Sequence, residues 1–295
     1  MAHRSYANLL RYPEQLADRA WDNVGLLLGN IDPADKSLSG PQTKALSKTV
    51  LLTNDLSIAV AEEAVRKNAS VIVSYHPFIF RGLKSITLND PQQRILLQLV
   101  QNNIAVYCPH TAVDAVPGGL NDWLADILSA GISGSKRTVA QPTSSPPPTG
   151  FEGSGYGRVV EFSSPISVVD LVRKAAKGLG GLGYVQVAAP KQADLRSLKV
   201  NSAAVCAGSG WDVLKDSGAD LIVTGEMTHH NALKATMEGK VVVTVFHSNS
   251  ERLFLKERMQ PALQEKLQQS DSNIQVLVSE EDADPFEIWD VSKLD

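Results

Sequence analysis

The sequence predicts an α/β protein of mixed, mainly parallel sheets flanked by helices and divided into two lobes. Three observations carry this reading. Strand-like and helix-like patterns alternate through most of the chain, as in parallel strands joined by crossover helices. The strand-like runs are short and apolar, which suits a sheet covered on both faces. The 295 residues exceed the span of one ordinary domain, and an apolar content of 43% suffices for two cores or one large bilobed body.

The alternation opens with a strand at Thr49 to Thr53 (TVLLT) and a helix from near Ser57 that presents Val60, Ala61, Ala64 and Val65 on one face. The strand Ser70 to Ser74 follows. Asp90-Pro91 then supplies an N-cap and a proline at the first helical position, with Ile95, Leu96, Leu99 and Val100 as the apolar face. This helix feeds the strand Ile104 to Cys108. The stretch Gln141 to Gly150 (QPTSSPPPTG) cannot build a core. It sets an expected division into an N-terminal lobe, 1–134, a linker or surface excursion, 135–157, and a C-terminal lobe, 158–295.

Past that segment come a strand at Val159 to Phe162, a helix from Ser167 to Lys177, and strands at Tyr184 to Val187 and Ala203 to Ala207. The last third adds a strand at Leu221 to Thr224, a helix at His229 to Met237 and a strand at Val241 to Val245. A long helix is expected from Ser250 to Leu267, either joining subunits or packing against its own chain.

A net charge of −4 with no long basic block disfavours nucleic-acid binding. Cys108 and Cys206 lie in apolar runs, where a thiol acts as a small hydrophobe, so no disulfide framework is expected. No run of about eighteen apolar residues occurs, which removes membrane-spanning readings. The expected location is cytoplasmic, with the nucleus also open. His3, Arg4 and Arg11 precede the first acid, Glu14; residues 1–13 read first as an ordinary amphipathic helix, with a mitochondrial presequence as the weaker alternative.

The chemistry gathers at strand ends. His76, His110 and His247 each lie about two residues past an expected strand's carboxyl end, the edge where open α/β sheets bind ligands. His110 and Asp114, like His247 and Glu251, stand four residues apart, one helical turn on one face. Imidazole with carboxylate suits zinc, iron or manganese, whereas calcium and magnesium prefer oxygen ligands. Taken singly, each pair also fits a solvated helix face. The turn Gly208-Ser209-Gly210 reads as a structural turn or an anion-binding one. Glu226 reads as a general base, a support for a ligand histidine, or a helix-capping carboxylate. His229 and His230 diverge by roughly 100° on a helix, so at most one, taken as His230, serves a site.

The chain resembles the Nif-three-like family over nearly its whole length, apart from the proline-rich segment. The segments that carry the resemblance are Trp21-Asp22-Asn23-Val24-Gly25-Leu26, Ser74-Tyr75-His76-Pro77, His110-Thr111-Ala112-Val113-Asp114 with Gly118-Gly119-Leu120-Asn121-Asp122, Cys206-Ala207-Gly208-Ser209-Gly210, Gly225-Glu226, and His247-Ser248-Asn249-Ser250-Glu251. The chain's length suggests the eukaryotic, fungal branch. The resemblance implies two intertwined α/β lobes, a dinuclear metal site between them and homo-oligomers. It maps ligands onto His76, His110, Asp114, His247 and Glu251. Where bacterial relatives carry a His-His pair before the proline, this chain reads Tyr75-His76; a phenol stays protonated at neutral pH, so a second ion is expected to bind weakly or not at all. Members of the family have been linked to GTP cyclohydrolase I and to a transcriptional coactivator component, and neither link follows from these residues.

Three functions are therefore expected in competition. The first is a metal-dependent hydrolase of a small nucleotide-like or phosphorylated molecule, with Glu226 or His230 as proton shuttle. The second is a non-enzymatic binding protein that engages transcriptional regulators. The third is a metal chaperone, since open carboxylate sites exchange ions readily.

Overall fold

The computed structural model of the protein describes residues 12–293 except 34, 39, 41, 42 and 45. The presequence-like residues His3, Arg4 and Arg11 lie outside them. The first half contains β1 (Gly25–Leu28), β2 (Thr49–Thr53), α1 (Ile58–Arg66), β3 (Val71–Ser74), α2 (Pro91–Gln101), β4 (Ala105–Cys108), α3 (His110–Ala115), α4 (Leu120–Ser129) and β5 (Lys136–Pro142). The second contains β6 (Gly155–Ser167), α5 (Val168–Gly178), β7 (Gln186–Ala188), β8 (Lys199–Cys206), α6 (Trp211–Leu214), β9 (Leu221–Thr224), α7 (His229–Met237), β10 (Val241–Thr244), α8 (Arg252–Phe254), α9 (Gln260–Gln268) and β11 (Gln275–Val278).

Two mixed sheets result. The five-stranded sheet runs β1-β4-β3-β2-β11, parallel except where β1 meets β4; the six-stranded sheet runs β5-β6-β8-β9-β10-β7, parallel across β8, β9 and β10. The C-terminal strand β11 pairs with β2 of the first sheet, Val276 opposite Val50, so the lobes share the chain. Within 135–157, residues from Lys136 to Pro142 and from Gly155 onward pair as an antiparallel ladder, and the Pro/Ser-rich connection joins them.

Side-chain alternation on the buried strands assigns residues to separate cores. Val50 and Leu52, Val71 and Val73, Val205, Val223 and Val243 enter one large core that both sheets share with α4, α5 and α9. The intervening Leu51, Ile72 and Val106 face the opposite way and pack under α1 and α2, while Ala204, Ile222 and Val242 pack under α6 and α7. Full burial of each such aliphatic side chain contributes about 1.5–3 kcal/mol.

Local signals set the helix ends. Ser57, Asp90, Ser167 and Thr228 each accept a backbone N–H from the first turn of the following helix. Asn68 and Asn103, both at positive φ, close α1 and α2: Ala69 N–H donates to Ala64 O and Ile104 N–H to Leu99 O before the chain enters β3 and β4. Val100, expected on the buried face of α2, is exposed, because Ile95, Leu96 and Leu99 already fill the contact with α1.

The continuous helix expected from Ser250 is broken into a 3-10 turn, α8, a π turn at Leu255–Met259 and α9. Pro261 explains the π turn: it lacks an N–H and crowds the carbonyl four residues earlier, which one wider turn relieves. Phe254, Leu255, Met259, Leu263 and Leu267 from this stretch are buried in the chain's own core. No helix among the described residues is long and apolar enough to cross a membrane.

Candidate metal centre

Three parallel strands from each sheet deliver their carboxyl ends to one cleft. Asn54 and Asp55 follow β2, Tyr75 and His76 follow β3, and His110 follows β4; Gly208 follows β8, Glu226 follows β9 and His247 follows β10. The rings of His110, His76 and His247 stand in a row, with centroids 5.5 Å apart for the first pair and 5.3 Å for the second. Trp21, half exposed, sets its edge against His110 at 5.7 Å.

Glu251 lies at the centre and is 1% exposed. Its Oε2 is 3.4 Å from His76 Nε2 and accepts from Asn54 Nδ2 at 3.1 Å, while its Oε1 is 3.3 Å from His247 Nε2. The candidate ligand atoms of His76, His247 and Glu251 all lie within 4.8 Å of one another. Asp114 is half-buried beside this group and accepts from the Tyr75 hydroxyl at 2.8 Å.

A carboxylate engages Nδ1 of every imidazole in the row. Asp22 Oδ1 sits 2.8 Å from His110 Nδ1, Asp55 Oδ1 2.8 Å from His76 Nδ1, and Glu226 Oε1 3.1 Å from His247 Nδ1. Each of these carboxylates is held below its ordinary range. Burial alone would raise Asp22 and Asp55, but hydrogen bonds from His110 and His76 outweigh it; the Ser209 hydroxyl leads for Glu226. An ionised carboxylate only accepts, so Nδ1–H is the donor and Nε2 is freed for an ion, an arrangement typical of metal-ligating histidine.

Without an ion the centre is a charge cluster. Burial disfavours ionisation of Glu251, yet His247 and His76 pull it down to about 2. Burial pulls His76 down, and Asp55 and Glu251 more than compensate, pushing it up to about 10; the Glu251 hydrogen bond raises His247 to about 9. Asp114 is pushed up to about 7, with loss of water around its carboxyl the leading cause and the charge of Glu251 adding to it.

The residues fit a divalent cation. Two nitrogen donors and a buried carboxylate suit zinc, iron or manganese. Gly208, at φ +58, leaves space beside them: a Cβ there would stand 2.9 Å from Glu251 Oε1 and 3.0 Å from His247 Nε2. Asn54 is fully buried, and its Oδ1 has no hydrogen-bond partner among the described residues. Backbone strain concentrates here too, since His110 and Phe246 take positive φ, which costs a non-glycine residue roughly 1–3 kcal/mol.

The structure thus brings His76, His110, Asp114, His247, Glu251 and Glu226 to one cleft. His230 is not among them; it is exposed on the first turn of α7, its ring against that of His229. Glu226 does not cap α7, because Thr228 does. The Gly208-Ser209-Gly210 turn spends two N–H groups internally, Gly208 on Ser250 Oγ and Gly210 on Thr224 Oγ1, both at 2.9 Å, which favours the structural reading over anion binding. Sequence reading missed Asp55, Asp22 and Asn54 as supporting residues. Asp55 stands two residues past a strand end, the same signal that marked the histidines.

Comparison with known proteins follows the same lines. A family model described as Duf34/NIF3 (NGG1p interacting factor 3) matches residues 6–285. The chain is 45% identical to a Schizosaccharomyces pombe protein named "Protein NIF3 homolog" over 276 residues, 93% of each chain. It is 42% identical to the Saccharomyces cerevisiae protein named "NGG1-interacting factor 3", covering 94% of this chain and 93% of the relative. A crystal structure of a Staphylococcus aureus protein superposes with a TM-score of 0.74 at 24% identity, covering 96% of this chain and 97% of the other, a likeness of fold.

Proposed function

This chain belongs to the Duf34/NIF3 family, and from that premise we propose that it is a divalent-metal-binding hydrolase of a small organic molecule. The observation that carries the reading is the convergence of His76, His247 and Glu251 within 4.8 Å at the carboxyl ends of two sheets. His110, its ring 5.5 Å from that of His76, and Asp114, bonded to the Tyr75 hydroxyl, would extend the donor set beyond those three. A divalent ion in such a site supplies Lewis acidity, activating water near neutral pH and polarising the group under attack.

The protein's own residues do the rest. Asp22, Asp55 and Glu226 orient the imidazoles, and Asn54 orients Glu251. Glu226 also has a half-exposed side chain lining the cleft and is ionised at neutral pH. It can accept a proton from water in the cleft, so the shuttle falls to Glu226 rather than His230. Two of the three N–H groups of the Gly208-Ser209-Gly210 turn are occupied within the fold, which argues against that turn as a phosphate cradle.

The test is elemental analysis of protein prepared in metal-free buffer, with His76→Ala alongside, followed by turnover assays on nucleotides, phosphoesters and cyclic amides. Bound metal lost in His76→Ala and metal-dependent turnover that Glu226→Gln lowers are expected. Absence of turnover across the panel sinks the enzymatic reading. The name of the S. cerevisiae relative favours a second reading, a binding protein in which the ion serves structure. Full cellular function in a His247→Ala variant would select it.

A further inference from the structure

Beyond the ligand residues the cleft widens into a cavity of about 640 Å³, within the range of small-molecule sites. Its apolar walls come from two places: Phe246 in the turn after β10, and Pro285, Phe286 and Ile288 in the segment after β11. Phe286 is 83% exposed, so its ring is a surface the fold does not use for packing.

His76 and His247 line the inner end of the cavity, and away from them the charged lining is acidic. Asp55, Glu226, Asp284 and Glu287 line the cavity, and no lysine or arginine does. Neutral donors hold the outer two: the Ser248 hydroxyl and Phe286 N–H on Asp284, and the Trp289 indole N–H on Glu287, at 2.8 Å for the last two. One guanidinium, Arg252, lies behind this lining, its Nε 3.2 Å from Asp282 and its Nη2 3.8 Å from Asp55 without a hydrogen-bond partner among the described residues.

We propose that this cavity selects a small organic cation carrying a flat ring and rejects phosphate esters, with the ring against Phe246 and Phe286 and the positive charge toward Asp284 and Glu287. Two independent features agree. Aromatic faces attract cations through their quadrupole, and the carboxylates add a field of the same preference. At this outer end, away from His76 and His247, a phosphate would meet that field without a fork of Arg or Lys donors to pair it. The inference rests on the reading of this cleft as a substrate site.

Benzamidine and phenyl phosphate, single rings of opposite charge, are the probes. Calorimetric titration of metal-loaded and metal-stripped protein at low and high salt gives both affinities. Benzamidine is expected to bind at least about tenfold tighter than phenyl phosphate and to weaken with salt. Glu287→Lys and Phe286→Ala should each cost benzamidine about tenfold in affinity. Both side chains are exposed, so an unchanged Tm separates the loss from unfolding. Phenyl phosphate binding as tightly as benzamidine, neither probe binding, or benzamidine indifferent to both variants would each overturn the proposal. Metal analysis of the same samples keeps the two readings apart: benzamidine preference in protein that takes up no ion ends the hydrolase reading alone, and phosphate preference with the ion bound ends this one alone.

Discussion

Asp55 Oδ1 meets His76 Nδ1 at 2.8 Å and so turns the ring's Nε2 toward Glu251, 3.4 Å away. Removing the carboxylate frees the tautomer and the ring angle while leaving every ligand in place. Asp55→Ala is expected to weaken metal binding by about 10–100-fold, read by chelator competition, with circular dichroism confirming that the fold is kept. Unchanged metal affinity would show that His76 needs no such support.

Metal uptake should depend on pH. With His76 at about 10 and His247 at about 9 in the metal-free protein, an incoming ion must displace protons from both. Affinity should then climb by up to about tenfold per pH unit for each proton displaced, levelling as pH passes 9 to 10. Proton release on zinc addition at pH 7, followed in weak buffer, checks this; a pH-independent Kd between 6 and 8 contradicts it.

Stability of the metal-free protein should move the other way. The raised histidines, ordinarily near 6.5, contribute stability that is full below that value and lost as pH rises through 9 to 10. Glu251, depressed from 4.5 to about 2, contributes above 4.5 and loses its contribution as pH falls toward 2. Thermal melts should therefore show Tm declining between pH 7 and 10 without metal. With excess zinc the decline should be offset, because the ion binds only the folded state.

Gly208→Ala tests the space beside the ligands. The left-handed backbone costs a Cβ roughly 1–2 kcal/mol, and the added methyl group would stand 2.9 Å from Glu251 Oε1. Metal content should fall sharply while the protein stays folded in circular dichroism. Full occupancy in the variant would move the ion away from Gly208.

Glu63 offers a test of the cleft's far wall. It is 1% exposed on α1 and accepts from the Ser279 hydroxyl, from Glu280 N–H at 3.0 Å and from Glu281 N–H at 3.4 Å, with Lys67 at 3.0 Å. Glu63→Ala leaves those donors unmatched and should cost about 1–3 kcal/mol in urea unfolding. Faster amide exchange in residues 279–288 should accompany it, since this carboxylate anchors the segment that carries Phe286.

The apolar strands were legible because burial on both faces writes itself as a run: TVLLT became β2, and the runs at Val71, Ala105, Leu221 and Val241 became strands within a residue or two. β1 and β11 escaped detection, since each is short and pairs with residues far along the chain. The histidines showed through position at strand ends, and Asp55 obeyed the same rule unnoticed because loop carboxylates are common. The spacing of His247 and Glu251 suggested one helical turn. The contact exists, yet a 3-10 turn makes it, with Glu251 itself at φ −128°. Asp22, which precedes β1, carried no periodic signal at all.

The pairing of β11 with β2 has a bearing on biogenesis. While the polypeptide emerges from the ribosome, β2 stays an open sheet edge until residue 278 has been made, and an unpaired edge is where chains stick to one another. The last strand to be synthesised therefore closes the first sheet, and with it the segment bearing Phe286 reaches the cleft. A nascent chain short of β11 thus already carries His76, His247 and Glu251 but lacks the wall that Phe286 adds to the cleft.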